Sequence, residues 1–291
     1  MKYAAIDIGT NAARLLIGEV TKNNGHAYVK KLSYTRVPLR LGFEVFTDGI
    51  ISEKKAVEFI KTIKAFKLIS EVYDIKEIRA CATSAMREAK NGKTIQKRIQ
   101  DETGLNVEII DGKEEMKIII STFFLIAVDK SEPFIVIDVG GGSTEVSIYE
   151  KGKRVNGMSF NVGTVRLLKE KVDQAIWDEI KAWIKSTINY KIDYKVFATG
   201  GNINKIHKLL GKRFMDPIRQ KELNEIYNTL KKLSLEDRME AFLLKPDRAD
   251  VIVPACEIYQ FITKELKTNK IFVPKIGLSD GMIYNMHKSQ Q

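Results

Sequence analysis

Glycine, hydroxyl and acidic residues are concentrated in one stretch near the middle of the chain. Residues 134–150 read FIVIDVGGGSTEVSIYE, an apolar run, three glycines and a second alternating run. This pattern predicts a strand, a tight glycine turn and a returning strand. Glycines leave successive backbone N–H groups accessible, and such groups form anion-binding concavities. We therefore expect a phosphate-binding loop to which Gly141, Gly142, Ser143 and Thr144 contribute donors.

Two acids flank this turn, Asp138 on the incoming strand and Glu145 on the outgoing strand. Carboxylates beside a phosphate would repel it unless a divalent cation lay between them. Because Mg²⁺ prefers oxygen ligands and phosphate, we expect Mg²⁺ or a similar divalent cation held by these two acids. The alternative interpretation is that the acids only fix the hairpin tip through backbone N–H groups.

The N-terminus nearly repeats the central stretch. Residues 4–20 read AAIDIGTNAARLLIGEV, so that Asp7 and Gly9 match Asp138 and Gly140. Two like hairpins in the two halves indicate a duplicated unit that holds a phosphate chain between the copies. Thr10 and Asn11 are the donors expected from this first loop, and Asp7 is a third candidate ligand for the metal.

Both hairpins resemble the phosphate loops of the acetate kinase, sugar kinase, heat-shock chaperone and actin superfamily. In detail they are similar to the exopolyphosphatase/guanosine pentaphosphate phosphohydrolase (Ppx/GppA) family. Six further short stretches carry the resemblance in family order: ATSAMR at 82–87, IDGKEE at 110–115, NVGTVR at 161–166, ATGG at 198–201, DRAD at 247–250 and SDG at 279–281.

The resemblance implies an activity and several roles. It implies hydrolysis of phosphoanhydrides in polyphosphate or guanosine pentaphosphate. Glu115 is then the catalytic glutamate, which orients the attacking water and accepts its proton, and Arg87 binds phosphate oxygens. Arg14 and Arg166 are weaker candidates, since either can serve only to brace its loop. A homodimer is compatible with the family. Longer relatives carry an added C-terminal region, so we expect short polyphosphate chains or nucleotides as substrates.

The order of elements predicts an α/β fold of two duplicated ribonuclease-H-like (actin-like ATPase) domains with an interdomain cleft. We place the domains at 1–128 and 129–291, with the last helix, about 279–291, packing back on the first. Expected helices include 52–73, 92–103, 113–127 and 173–190, and the region 215–244 is expected to be helical. The tryptophans of helix 173–190 lie on its apolar face and are expected in the core.

Composition limits the possible partners. The 48 lysines and arginines exceed the 37 acids, giving a net charge of +11 that favours polyanions. The lysines are scattered and no nucleic-acid-binding motif is present, so we expect no specific nucleic acid partner. No apolar run is long enough to span a membrane and no signal peptide is visible, so we expect a cytoplasmic protein. The two cysteines are expected to be buried free thiols.

Two other functions remain open on the sequence. A small-molecule kinase of the same superfamily would need a base for an acceptor hydroxyl and an adenosine pocket, to which Gly200 and Gly201 could contribute. A non-catalytic sensor of polyphosphate or of a guanosine alarmone would bind without turnover. Glu115 argues against the kinase, and the intact acids argue against the sensor.

Overall fold

The computed structural model describes residues 1–23, 26–124, 131–169 and 171–290. The chain divides into two compact units, one formed by Met1–Val128 with Ile276–Gln291 and the other by Asp129–Lys275. The last helix, α13 (Leu278–Lys288), therefore belongs to the first unit. The end of the predicted helix 113–127 lies outside the described residues from 125 onward.

The first unit is built on a five-stranded sheet. Its strands are β1 (Lys2–Ile8), β2 (Ala13–Asn23), β3 (His26–Val37), β4 (Glu77–Ala82) and β5 (Val107–Ile109), in the order β3-β2-β1-β4-β5. The first three strands form an antiparallel meander, and β4 and β5 are parallel to β1. The sheet therefore places the tip of the first hairpin beside the carboxyl end of β4.

Helices cover this sheet: α1 (Leu41–Asp48), α2 (Glu53–Val72), α3 (Ser84–Glu88), α4 (Gly92–Thr103), α5 (Gly112–Ser121) with a 3₁₀ turn at Thr122–Phe124, and α13. The side chain of Ser52 caps α2 by accepting the Lys55 N–H. Phe59, Ile63 and Phe66 of α2 are almost fully buried, which is worth about 1.5–3 kcal/mol per side chain relative to exposure. The predicted helices 52–73 and 92–103 are thus confirmed. Helix α13 packs on β1, β2 and α5.

The second unit repeats this plan. Strands β6 (Phe134–Val139), β7 (Thr144–Glu150), β8 (Lys153–Phe160) and β9 (Lys195–Thr199) form a sheet in the order β8-β7-β6-β9, and β10 (Ile218–Arg219) pairs with β11 (Lys270–Ile271). Its helices are α6 (Thr164–Leu168), α7 (Gln174–Thr187), α8 (Gly201–Leu209), α9 (Gln220–Lys232), α10 (Leu235–Phe242), α11 (Pro246–Ala249) and α12 (Ile252–Glu265). The meander followed by a parallel strand is the same in both units.

Each unit has its own core. Isoleucines and valines of β6, β7 and β9 pack with those of α7, α8 and α12 in the second unit, and both tryptophans of α7 pack against this core as predicted. Cys81 and Cys256 are buried free thiols. Among the helices described, none combines the length and the apolar character needed to cross a lipid bilayer.

Candidate active site

The second hairpin places two carboxylates directly opposite each other. Asp138 on β6 is the register partner of Glu145 on β7, and directly opposed residues of antiparallel strands have Cβ atoms about 4.5–5.5 Å apart on the same face. Asp138 is 7% and Glu145 3% exposed. Two buried like charges at this separation repel each other unless a cation or a proton compensates them.

Hydroxyl groups hold both acids in place. Ser143 Oγ and Ser159 Oγ each donate to Glu145 Oε1 at 2.7 Å. Thr199 Oγ1, at the end of the neighbouring parallel strand β9, donates to Asp138 Oδ1 at 2.6 Å. The Tyr259 hydroxyl donates to the Thr199 carbonyl oxygen. These hydrogen bonds to charged acceptors are of the stronger kind and fix the carboxylates in one orientation.

The glycine loop turns its carbonyl groups into the protein. Gly140 N–H closes the tip by donating to Ser143 O at 3.0 Å. The start of α6 then donates to the loop: Thr164 N–H to Gly140 O at 3.0 Å and Val165 N–H to Gly141 O at 2.8 Å. The Arg166 side chain covers the last glycine by donating Nε–H to the Gly142 carbonyl at 2.9 Å. Since these carbonyl oxygens are occupied, the loop presents little negative charge to a bound anion.

Two hydroxyls predicted to bind phosphate already donate hydrogen bonds to other groups of the protein. Ser143 donates to Glu145, and Thr144 Oγ1 donates to the Val162 carbonyl at 2.6 Å. Each hydroxyl has one proton to donate. Any phosphate bound here would therefore contact the backbone N–H groups of the loop. Phosphate binding by Gly141, Gly142, Ser143 and Thr144 stays a prediction.

The first hairpin differs from the second at one decisive position. Asp7 on β1 is the register partner of Arg14 on β2, the position that corresponds to Glu145. Arg14 Nη1 lies 2.6 Å from Asp7 Oδ2 in a half-buried ion pair. Asp7 is thus compensated by its own hairpin, whereas Asp138 faces a second carboxylate. A metal-binding role for Asp7 has less support than that of the two acids in the second hairpin.

The first loop is otherwise built like the second. Gly9 N–H donates to Ala12 O at 3.1 Å, and the start of α1 covers the loop carbonyls, with Gly42 N–H donating to Thr10 O and Arg40 N–H to Asn11 O, both at 3.0 Å. Thr10 Oγ1 lies 3.3 Å from the Ser84 hydroxyl at the start of α3. Thr10 and Asn11 therefore occupy the tip, as expected from the repeat.

Arg87 and Glu115 are connected through the backbone. Arg87 Nη1 donates to the Ile110 carbonyl at 2.8 Å, and the next residue, Asp111, caps α5 by accepting the Glu114 N–H at 2.8 Å. Glu115 lies half-buried in the first turn of that helix. Arg87 thus braces the segment that positions Glu115, in addition to any contact with phosphate.

The Cys81 thiol lies on β4, next to the first hairpin. Burial raises the pKa of Cys81 to about 12, and the negative charges of Glu108, Asp7 and Glu115 add to the increase, against the opposing effect of Arg79. Asp7 is the register partner of Cys81 in the parallel pair of β1 and β4, and it is itself paired with Arg14.

The residues present fit a hard cation. Within the described residues no group of three or more histidine, cysteine, aspartate or glutamate side chains is arranged to hold a metal ion. Mg²⁺ at phosphate sites nevertheless uses one or two carboxylates and completes its coordination with water and phosphate oxygens. Asp138 and Glu145, two buried oxygen-donor groups that repel each other, match this requirement.

Thr199, Ser159 and Gly163 contribute to this site although the sequence predicted no role for them. Gly163 packs so tightly on the loop that a Cβ at this position would lie 2.5 Å from the Gly141 carbonyl and the Gly142 nitrogen. Thr199 and Gly163 belong to the ATGG and NVGTVR stretches. For Thr199 the available signal was its place at the end of β9, since parallel strands end at the same edge of a sheet. For Gly163 it was the place directly before α6.

The comparisons with known structures identify the fold. The fold superposes on a Ppx/GppA family member from Aquifex aeolicus with a TM-score of 0.78, at 23% identity over 100% of this chain and 99% of that one. It superposes on an exopolyphosphatase from Cytophaga hutchinsonii with a TM-score of 0.82, at 23% identity over 99% and 98%. The predicted α/β fold of two ribonuclease-H-like units is thereby confirmed.

The sequence comparisons name the family. Residues 20–290 match the Ppx/GppA phosphatase family, and the chain belongs to it. It is 33% identical over 207 residues to the bifunctional 3-dehydroquinate synthase/phosphatase of Fusobacterium nucleatum, covering 66% of this chain and 31% of that protein. It is 30% identical over 175 residues to exopolyphosphatase 1 of Mycobacterium tuberculosis, covering 58% and 48%. The matched segments thus span less than half of either relative.

Proposed function

We propose that this chain is a phosphoanhydride hydrolase that releases the terminal phosphate from inorganic polyphosphate or from guanosine pentaphosphate. Family membership and the names of the mycobacterial relatives support the exopolyphosphatase activity. The observation that carries the proposal is the second hairpin, where two opposed buried carboxylates adjoin a glycine loop whose carbonyls face into the protein. That arrangement suits a phosphate that binds together with a divalent cation.

In the proposed reaction a water oxygen bonds to the terminal phosphorus. The bond from that phosphorus to the bridging oxygen breaks, the shortened chain leaves with the bonding electron pair, and Glu115 accepts the proton of the water. Loop N–H groups and Arg87 stabilise charge on the phosphoryl oxygens. When bound by Asp138 and Glu145, Mg²⁺ would neutralise further charge on these oxygens.

The test measures phosphate release with Mg²⁺ from short polyphosphate, long polyphosphate and guanosine pentaphosphate side by side, without any acceptor. Preference for a polyphosphate identifies an exopolyphosphatase, and preference for the nucleotide identifies an alarmone phosphohydrolase. Turnover that occurs only after an acceptor hydroxyl is added, and that transfers the phosphoryl group to this acceptor instead of releasing free phosphate, would favour the kinase. Retained binding without any release would favour the sensor, and either result would refute the proposed hydrolysis.

The role of Glu115 has its own test. Glu115→Gln keeps the size of the side chain but removes the proton acceptor, so turnover should fall by about 10²–10⁴-fold while polyphosphate binding is kept. Glu114→Gln is the matched control, because Glu114 pairs with Lys117 at 3.2 Å on the exposed side of the same helix turn. Equal turnover of the two variants would show that Glu115 is not the base.

A further inference from the structure

A pocket of about 930 Å³ opens in the second unit at the end of the sheet opposite to the glycine loop. Its walls are the starts of β6 and β9, the segment after α7, and the segment from the end of α12 to β11. Pro133 lies at one end of β6 and Gly140 at the other, so about 20 Å of strand separate the pocket from the loop. The pocket is therefore a different site from the one described above.

Four lysines line this pocket: Lys191, Lys195, Lys267 and Lys270. The lining acids are Glu132 and Asp193, which leaves an excess of two positive charges. None of the four ammonium groups forms an ion pair within the described part of the chain. Clustered lysines without carboxylate partners repel each other, and a multiply charged anion relieves this repulsion.

Aromatic rings position three of these ammonium groups without neutralising them. Lys267 Nζ lies 4.6 Å from the centroid of the Tyr190 ring, and Lys195 Nζ and Lys270 Nζ lie 4.8 Å and 5.9 Å from that of Phe272. A cation–π contact fixes a lysine head but leaves its full charge available. The pocket thus presents pre-positioned positive charge.

The lining also has an accessible apolar part, beside the polar Thr268 and Asn269. Pro133, Tyr194 and Phe272 are half-buried and Tyr190 is 42% exposed, whereas the lining core residues Ile135, Ile188 and Leu266 are at most 7% exposed and add little surface. A bare phosphate chain would gain nothing from this surface, whereas a ligand with a flat organic ring would bury apolar area on it. The combination of lysines and an apolar wall favours a ligand that carries both phosphates and a ring.

We propose that this pocket binds a nucleoside diphosphate or triphosphate, with its phosphates at the lysines and its base against the apolar wall. This inference goes beyond the proposed hydrolysis and does not depend on it. The site would give the protein a second, non-catalytic ligand in the unit that carries the glycine loop.

The experiment is calorimetric titration of the full chain with ADP and, separately, with pyrophosphate, without added Mg²⁺. Lys195→Gln/Lys270→Gln removes two pocket charges, and Lys181→Gln/Lys232→Gln removes two from exposed positions on α7 and α9. We expect the pocket variant to bind ADP about tenfold more weakly or worse, with the control variant near the parent chain. Pyrophosphate should bind the parent chain more weakly than ADP.

Each contrary result would overturn the assignment. Unchanged ADP affinity in the pocket variant would show that ADP does not bind there, and equal weakening in both variants would show only a general effect of net charge. Pyrophosphate that binds the parent chain as tightly as ADP, and whose binding the pocket variant weakens equally, would refute the role of the base. Circular dichroism checks folding, and Lys267→Gln, at an exposed position, provides a single variant that should lower ADP affinity in the same direction.

Discussion

The contact between Gly163 and the glycine loop allows a quantitative prediction. Gly163 precedes α6 with an extended backbone, φ −151°, that any residue adopts. The only obstacle to alanine is space, because its Cβ would lie 2.5 Å from the Gly141 carbonyl and the Gly142 nitrogen. Non-bonded heavy atoms rest about 3.5–4.0 Å apart, so the loop must move by roughly 1 Å.

We expect this displacement to affect turnover far more than folding. Overpacking typically costs about 1–3 kcal/mol of stability, whereas a displacement of about 1 Å at a reacting group can lower the rate by about 100-fold. Gly163→Ala should therefore remain folded, with phosphate release reduced by about two orders of magnitude.

The assay is phosphate release at saturating polyphosphate, with thermal unfolding measured in parallel. Gly277→Ala is the matched control, because Gly277 also precedes a helix with extended backbone, φ −164°, and a Cβ there meets no atom within 4 Å. If both variants turned over at similar rates, the close packing of Gly163 would not position the loop for catalysis.

Three further predictions concern single groups. We expect Mg²⁺ to raise the unfolding temperature of the parent chain and Glu145→Gln to abolish this rise. Glu150→Gln, on the same strand but hydrogen-bonded to Tyr194, should keep the rise; its loss in both variants would refute the metal assignment. Thr199→Val should lower stability by roughly 1–3 kcal/mol and reduce turnover, and Thr199→Ser should restore both; failure of serine to do so would rule out the hydroxyl as the cause. Because burial raises the pKa of both cysteine thiols to about 12, the thiolate is scarce at pH 8 and Ellman's reagent should react only after unfolding; fast reaction of the native protein would contradict this.

The hairpins were the part of the fold most accessible from the sequence. Their alternating apolar residues and glycine turns are local signals, and the duplication could be read from the match of residues 6–9 with residues 137–140. The two acids of the second hairpin were predicted as partners from their spacing, and the strand register places them opposite each other.

The short helices that cover the loops could not be read in the same way. Helix α1 has eight residues and follows Arg40, its N-cap residue, whose φ of 55° is left-handed. Its position depends on hydrogen bonds from Arg40 and Gly42 to the first loop. Such contacts depend on residues about 30 positions away. The Thr144 hydroxyl likewise donates to the Val162 carbonyl, 18 positions along the chain, whereas the Ser143 hydroxyl donates to Glu145 only two positions away.

The return of α13 to the first unit has a consequence for synthesis. Its Gly281 packs directly on the Ile118 carbonyl, and the helix contacts β1 and β2, so the first core is complete only when the end of the chain has been made. The whole of Asp129–Lys275 is translated in between, which at about 5–20 residues per second takes on the order of ten seconds. During this interval the nascent first unit lacks a covering helix, and by its end the second unit has every element of its own core while α13 has still to be made.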